Sequence, residues 1–185
     1  MTLTYRMITD RKETDPAWQK LYERSFPASE QIPWPVLASK RSDSLPMIVF
    51  YDGSLFIGFA FTFLYKDMAY LEYLTVDERL REQGYGSSML QMLEEILAGR
   101  RIIADIEMLN EAADNYTERK RRRDFYLRQG FVPSGVFYHI YGVDYELLLS
   151  HGSLAPEEFG GLLTADWGTY AKDASIWRDD PETAQ

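Results

Sequence analysis

Apolar and polar residues follow two different periods along this chain, and the switches between them mark its elements. Leu3–Ile8 alternates with a period of two and predicts an opening strand. Asp15-Pro16 then supplies an N-cap and a proline at the first helical position, and Trp18, Leu21, Tyr22 and Phe26 follow at helical spacing. Pro27, Pro33 and Pro35 break that helix and predict extended backbone before Val36 and Leu37. Residues 47–51 and Leu55–Tyr65 flank Asp52-Gly53, a two-residue hairpin signal. Lys66-Asp67 turns into the next strand, 70–76. After it Met89, Leu90, Met92, Leu93, Ile96 and Leu97 keep a helical period until Gly99. Residues 102–108, 132–138 and 141–149 read as further strands, and a helix is expected near 118–129. From 152 the pattern changes. Pro156 opens a short helix with Phe159, Leu162 and Leu163 on one face, Trp167, Tyr170 and Trp177 stand among polar residues, and 179–185 reads as frayed. The expected organisation is one domain over 1–150 with a C-terminal helical extension and tail over 151–185.

The join between the strand at 70–76 and the helix after it carries the chemistry. Arg81-Glu82-Gln83-Gly84-Tyr85-Gly86-Ser87 lies there. A strand feeding a glycine loop and then a helix aims unpaired backbone N–H groups, and the positive end of the helix dipole, at whatever lies in front. Glycines at 84 and 86 let the backbone approach a ligand with no Cβ in the way. The loop has no Gly-Lys-Ser/Thr, so it is not a P-loop, and it lacks the third glycine of a dinucleotide fingerprint. What remains is Arg-x-x-Gly-x-Gly after a strand.

That motif, in Arg81, Gly84 and Gly86, resembles the pyrophosphate-gripping signature of the GNAT superfamily of acyl-CoA-dependent N-acyltransferases. A second stretch some forty residues on, Phe125-Tyr126-Leu127-Arg128-Gln129-Gly130-Phe131, is similar to the superfamily's later motif, a helix ending in aromatic-Tyr-x-x-x-Gly-Phe. The physics agrees, since Gly130 suits a left-handed helix end and Phe125, Leu127 and Phe131 are expected to pack inward. The link from Asn110 to Lys120 is longer and more polar than the family's usual one. The resemblance, to the bacterial small-molecule type, implies an α/β layered fold with a mixed, mostly antiparallel sheet splayed at an acetyl-CoA site. It implies an N-acetyltransferase that moves an acetyl group from acetyl-CoA to a primary amine by direct attack. The alternative is a GNAT-like module that binds acyl-CoA without turnover. An RNA-modifying acetyltransferase and a protein for some other phosphate ligand stand behind these two.

Composition narrows the choice. The 185 residues are 45% hydrophobic and 15% aromatic, enough for a core. With no cysteine there is no disulfide, thiolate ligand or cysteine nucleophile. His139 and His151 are too few for a multi-histidine metal site. No apolar run approaches the length of a membrane helix, and the N-terminus lacks a signal-peptide layout, so a cytoplasmic protein is expected. The net charge of −9 argues against a nucleic-acid partner and fits a small, cationic amine acceptor. A homodimer stays open as an assembly.

The resemblance also assigns roles by position. Residues 81–87 hold the pyrophosphate, and the backbone of Leu74 and Val76 pairs with the pantetheine, with Asn110 or Asn115 as a further contact. Tyr126 occupies the position of the acid that protonates the CoA sulfur and touches the cofactor. Glu72 and Glu107 are the candidate bases or amine anchors, each a carboxylate inside an apolar strand where burial is costly unless something uses or pairs it. Asp105 shares the face of Glu107 and makes that face look solvated. Glu30 and Trp34, on the connection of the first helix pair, are candidate acceptor contacts. Arg119-Lys120-Arg121-Arg122-Arg123 opposes the dipole at a helix start. It is either a solvated face or a set of arginines for CoA phosphates or an acidic substrate group. The tail either docks on the body, covers the acceptor cleft or meets a second subunit.

Overall fold

The computed structural model describes residues 2–28 and 31–179. In chain order they form β1 (Leu3–Ile8), α1 (Pro16–Ser25), α2 (Trp34–Lys40), β2 (Met47–Asp52), β3 (Leu55–Tyr65), β4 (Met68–Val76), α3 (Tyr85–Ile96), β5 (Arg101–Glu107), α4 (Tyr116–Arg128), β6 (Val132–Ile140), β7 (Val143–Leu149), α5 (Pro156–Trp167) and β8 (Ser175–Arg178). Short 3-10 turns lie at Glu78–Leu80 and Gly168–Asp173. This is the mixed α/β class with mostly antiparallel strands that the resemblance implies. Contacts divide the chain into two compact units, Met1–Leu64 with Tyr70–Ala98 and Tyr65–Ala69 with Gly99–Gln185.

In the first unit the strands run in the order β1-β2-β3-β4, with β1 and β3 antiparallel to β2. The first four residues of β2 and seven central residues of β3 are buried without alternation, as in strands covered on both faces. Trp18, Leu21 and Tyr22 of α1 and Trp34 and Leu37 of α2 close one core with Met47, Val49, Phe59, Phe61 and Tyr73. The Asp15 carboxylate caps α1 by accepting the Ala17 N–H at 2.8 Å, as its sequence position predicts. Trp34 and Pro35 depart from expectation. They form the first turn of α2 rather than extended backbone, and the Pro33 carbonyl accepts from the Val36 and Leu37 N–H groups. Prolines at a helix start lose nothing, because those N–H groups have no helical partner anyway. Gly58 is required where β3 meets β4: a Cβ there would stand 2.1 Å from the Thr75 carbonyl oxygen.

In the second unit the order is β5-β7-β6-β8, every described pair antiparallel. Tyr141 and Gly142, at φ 49° and 82°, make the β6–β7 turn, so Tyr141 stands in the turn and not in the strand expected from 141. The C-terminal segment docks within this unit. Phe159, Leu162 and Leu163 of α5 are buried, β8 pairs with β6, and the Trp177 ring stacks on Phe137 at 5.9 Å. Arg101 ties the segment down, reaching Asp67, Glu158 and the Ser153 carbonyl together. Of the frayed tail expected over 179–185, residues 180–185 lie outside the described residues.

Candidate functional site

The glycine loop is built from the strand outward. β4 ends at Val76, and Asp77, almost fully buried, starts the 3-10 turn by accepting the Arg79 N–H at 3.0 Å. The Arg79 guanidinium forks onto the same carboxylate at 2.9 and 2.7 Å and holds its pKa at about 2. Arg81 is exposed and reaches back to the Val76 carbonyl, and the Gln83 amide donates to the Arg79 carbonyl. Glu82, at φ 64°, and Gly84, at φ 84°, both take the left-handed conformation and turn the chain into α3. Gly84 is the N-cap and brings no side-chain hydrogen bond. The ladder of α3 opens with the Ser88 N–H donating to the Gly84 carbonyl, which leaves the amides of Tyr85, Gly86 and Ser87 outside it. The space where a Gly84 Cβ would stand is empty to 4 Å. Tyr85 is buried and anchors the turn, its hydroxyl donating to Asp52 at 3.0 Å. A dipole end, three amides and open backbone suit an oxyanion such as a pyrophosphate. On β4, Glu72, Leu74 and Val76 share one half-buried face, while Tyr73 and Thr75 turn into the core.

Tyr126 belongs to the other unit, on the last full turn of α4. Its ring lies between Phe125 and Phe131, at 5.2 and 5.3 Å. Gly130, at φ 89°, ends the helix as its position predicts, with the Phe131 N–H returning to the Tyr126 carbonyl. Phe131 is buried, whereas Phe125 and Leu127 are only partly so. Burial, and next the charge of Asp105, raise the Tyr126 pKa, and the Arg122 guanidinium opposes them. The phenol is therefore neutral at physiological pH, as a proton donor must be.

Asp105 is the residue that sequence reasoning passed over. It looked like a mark of solvation on β5, yet it accepts from the hydroxyl of buried Tyr138 and its field reaches Tyr126. No local signal marked it, because its partner Tyr138 comes 33 residues later in the chain. Glu107, by contrast, is fully engaged. Asn115 donates to both its oxygens, Arg119 pairs with it at 2.9 Å and Arg122 closes on Oε2. Arg123 forks onto Glu146 of β7 at 2.7 and 3.1 Å, and Lys120 pairs with Asp124. Carboxylates thus take up most of the basic block, while Lys120, Arg121 and Arg122 stay exposed. Asn115 is committed to Glu107 and Arg119, and Asn110 to a local turn at Ala112.

Among the acceptor candidates, Glu30 lies outside the described residues. Trp34 is 7% exposed, its ring against Tyr22, Phe59 and Phe61, so packing accounts for most of it. A cavity of about 450 Å3 opens between α1 and α2, lined by Arg11, Asp15, Gln19, Trp34 and Ser39 among others. It lies at the N-terminal end of α1, whereas the C-terminal Ser25 accepts from Thr75 of β4, next to the loop. A ten-residue helix of about 15 Å separates the two ends, so this cavity is distinct from the loop.

The acetyltransferase (GNAT) family model matches residues 15–131. No curated protein matches the chain. Among solved structures, a GNAT-family protein from Bacteroides thetaiotaomicron is similar with a TM-score of 0.69 at 23% identity, over 91% of this chain and 98% of that one. The ribosomal-protein-S18-alanine N-acetyltransferase of Escherichia coli gives 0.60 at 20% identity, over 84% and 97%. An aminoglycoside 6'-N-acetyltransferase complexed with coenzyme A gives 0.60 at 16%, over 80% and 96%.

Proposed function

The chain belongs to the acetyltransferase (GNAT) family, and from that premise we propose that it transfers an acetyl group from acetyl-CoA to a primary amine by direct attack. The observation that carries this reading is the start of α3, where three backbone amides lie outside the helix ladder and left-handed Gly84 has open space at its Cβ position after a strand. Family membership supports the CoA pyrophosphate as the anion for that site, with Arg81 beside it and the β4 backbone at Leu74 and Val76 for the pantetheine arm. The similar structures named for their acceptors, a ribosomal-protein alanine and an aminoglycoside, both acetylate nitrogen.

Acyl transfer requires the amine to lose a proton and the thiolate to gain one. The amine nitrogen attacks the thioester carbon and the C–S bond breaks. Tyr126 gives its phenolic proton to the departing sulfur, and Glu72 takes the proton from the amine. Glu72 is preferred over Glu107, whose oxygens are occupied by two guanidinium groups and an amide. Burial, and next the field of Asp105, raise the pKa of the phenol and keep it protonated, and the Arg122 charge offsets them only in part.

Thermal-shift titration with acetyl-CoA, CoA and ATP, followed by a thiol-release assay over a panel of amines, tests the proposal. Stabilisation of about 2.7 kcal/mol is expected at 100-fold excess over Kd for the CoA species and none for ATP. Tyr126→Phe should lower kcat on the order of 10²-fold and leave CoA binding unchanged. Binding without any thiol release, in the native protein as in the variant, would identify a sensor module instead. No shift with CoA would remove the basis of the reading.

A further inference from the structure

If Tyr126 is the proton donor, the seating of α4 decides where that proton lies. A helix ordinarily settles by burying an apolar stripe at positions i, i+3, i+4 and i+7. On α4 that stripe is Arg119, Arg122, Arg123 and Tyr126, and no residue of Tyr116–Arg128 is more than partly buried. Three guanidinium groups occupy the positions where leucines would normally stand.

Their partners are nearly buried carboxylates on two strands of the same unit. Glu107 of β5 and Glu146 of β7 are each 7% exposed, and Glu146 stands opposite Ile106 in the β5–β7 register. Arg119 pairs with Glu107 and also donates to the Met108 carbonyl at 2.9 Å and to Asn115 Oδ1 at 2.7 Å. Arg122 takes the second oxygen of Glu107, and Arg123 forks onto both oxygens of Glu146. The fork of Arg123 on Glu146 fixes direction as well as distance, and Glu107 bridges Arg119 and Arg122 about one turn apart, so together these pairs set the rotation and the height of the helix. Tyr126 follows Arg122 and Arg123 by four and three residues and continues their face.

The geometry points to Glu107 and Glu146 as positioning residues that seat α4 through Arg119, Arg122 and Arg123 and so fix the Tyr126 phenol where the acyl transfer needs it. This rests on the reading of Tyr126 as the acid. The charged groups that act on the phenol are Asp105 from β5 and Arg122 from α4 itself. By holding Arg122, Glu107 therefore also fixes one of the two charges that set the acidity of the phenol.

The test compares Glu107→Gln, Glu146→Gln and Glu107→Asp with the native protein, by steady-state kinetics and by amide hydrogen exchange over residues 116–128. In Glu107→Gln, kcat should fall on the order of 10²-fold while KM for acetyl-CoA changes little, since a small misplacement of the reacting group has that size of effect. Exchange over 116–128 should speed up, and Glu107→Asp should recover most of both. Glu146→Gln should move the same two readouts in the same direction. Arg122→Gln, at a half-exposed side chain, repeats the measurement if a glutamate variant does not fold. Unchanged exchange over 116–128 in the glutamate variants overturns the inference. So does a loss of kcat that Glu107→Asp fails to recover while exchange stays native, because that marks Glu107 as a base. If the native protein transfers no acetyl group, the reading of Tyr126 fails, and the exchange data still decide whether the two carboxylates seat the helix.

Discussion

Helices α3 and α4 carry the two motifs of this chain, and they are held in opposite ways. α3 buries Tyr85, Met89, Leu90 and Leu93, and its N-terminal end is left without a side-chain cap. α4 has no fully buried residue among its thirteen, with Phe125, Tyr126 and Leu127 only partly covered, and is held by guanidinium groups on carboxylates. The difference suits what each would present in the proposed reaction. α3 offers backbone amides, whose positions follow from the helix axis alone, so non-directional apolar packing is sufficient. α4 offers a side-chain hydroxyl, whose position depends on rotation about the axis, and directional pairs constrain that rotation.

Leu93→Ala, in the fully buried stripe of α3, should give the largest effect. A loss of 2–5 kcal/mol in denaturant unfolding is expected, about the same at low and high salt. Arg123→Ala in α4 leaves the Glu146 carboxylate nearly buried without its fork and should cost about 1–3 kcal/mol. In the native protein 1 M salt should speed exchange across α4 more than across α3, since the pair made by half-exposed Arg122 is partly screened. Replacing Arg123 by Met and Glu146 by Leu together should recover stability, as an apolar pair can take the place of an ionic one. If Arg123→Ala costs nothing, the contrast between the helices fails.

Smaller effects sharpen the comparison at the loop. Gly84→Ala should cost about 1–2 kcal/mol from its left-handed backbone alone, because the added Cβ meets nothing within 4 Å. CoA affinity should fall with it in a thermal-shift titration. The smallest effect is acidic. The Arg79 fork depresses the Asp77 pKa to about 2, below the ordinary value of about 3.9 in an unfolded chain. That contribution is fully present above about pH 4 and is lost as the pH falls through 2. Screening of the exposed Arg79 keeps it near 1 kcal/mol. Asp77→Asn should abolish this part of the acid dependence in urea unfolding between pH 4 and 2.

The strand, glycine loop and α3 were legible because each signal is local. β-branched residues, a glycine at a left-handed turn and an apolar stripe lie within thirty consecutive residues. The end of α4 at Gly130 and the cap of α1 at Asp15 were legible for the same reason. The arginine block was visible as charge, but its partners were not, since Glu107 and Glu146 lie 12 to 23 residues from the arginines they hold. Asp105 was passed over because a carboxylate on a strand shows nothing of the tyrosine above it. Pro35 was misread because proline suits both an extended segment and the first turn of a helix. Only the carbonyls offered to Val36 and Leu37 distinguish the two.

By itself, then, the sequence determined the order of the elements, the loop at 81–87 and the family. Those depend on hydrophobic period and backbone freedom, which are properties of neighbours in the chain. Tertiary structure decided which charges meet: that Glu107 is held by arginines, that Asp105 acts on Tyr126, and that the C-terminal segment adds β8 to β6. Electrostatic and packing energies depend on distance in space. Pairing across strands brings together residues that the one-dimensional pattern keeps apart.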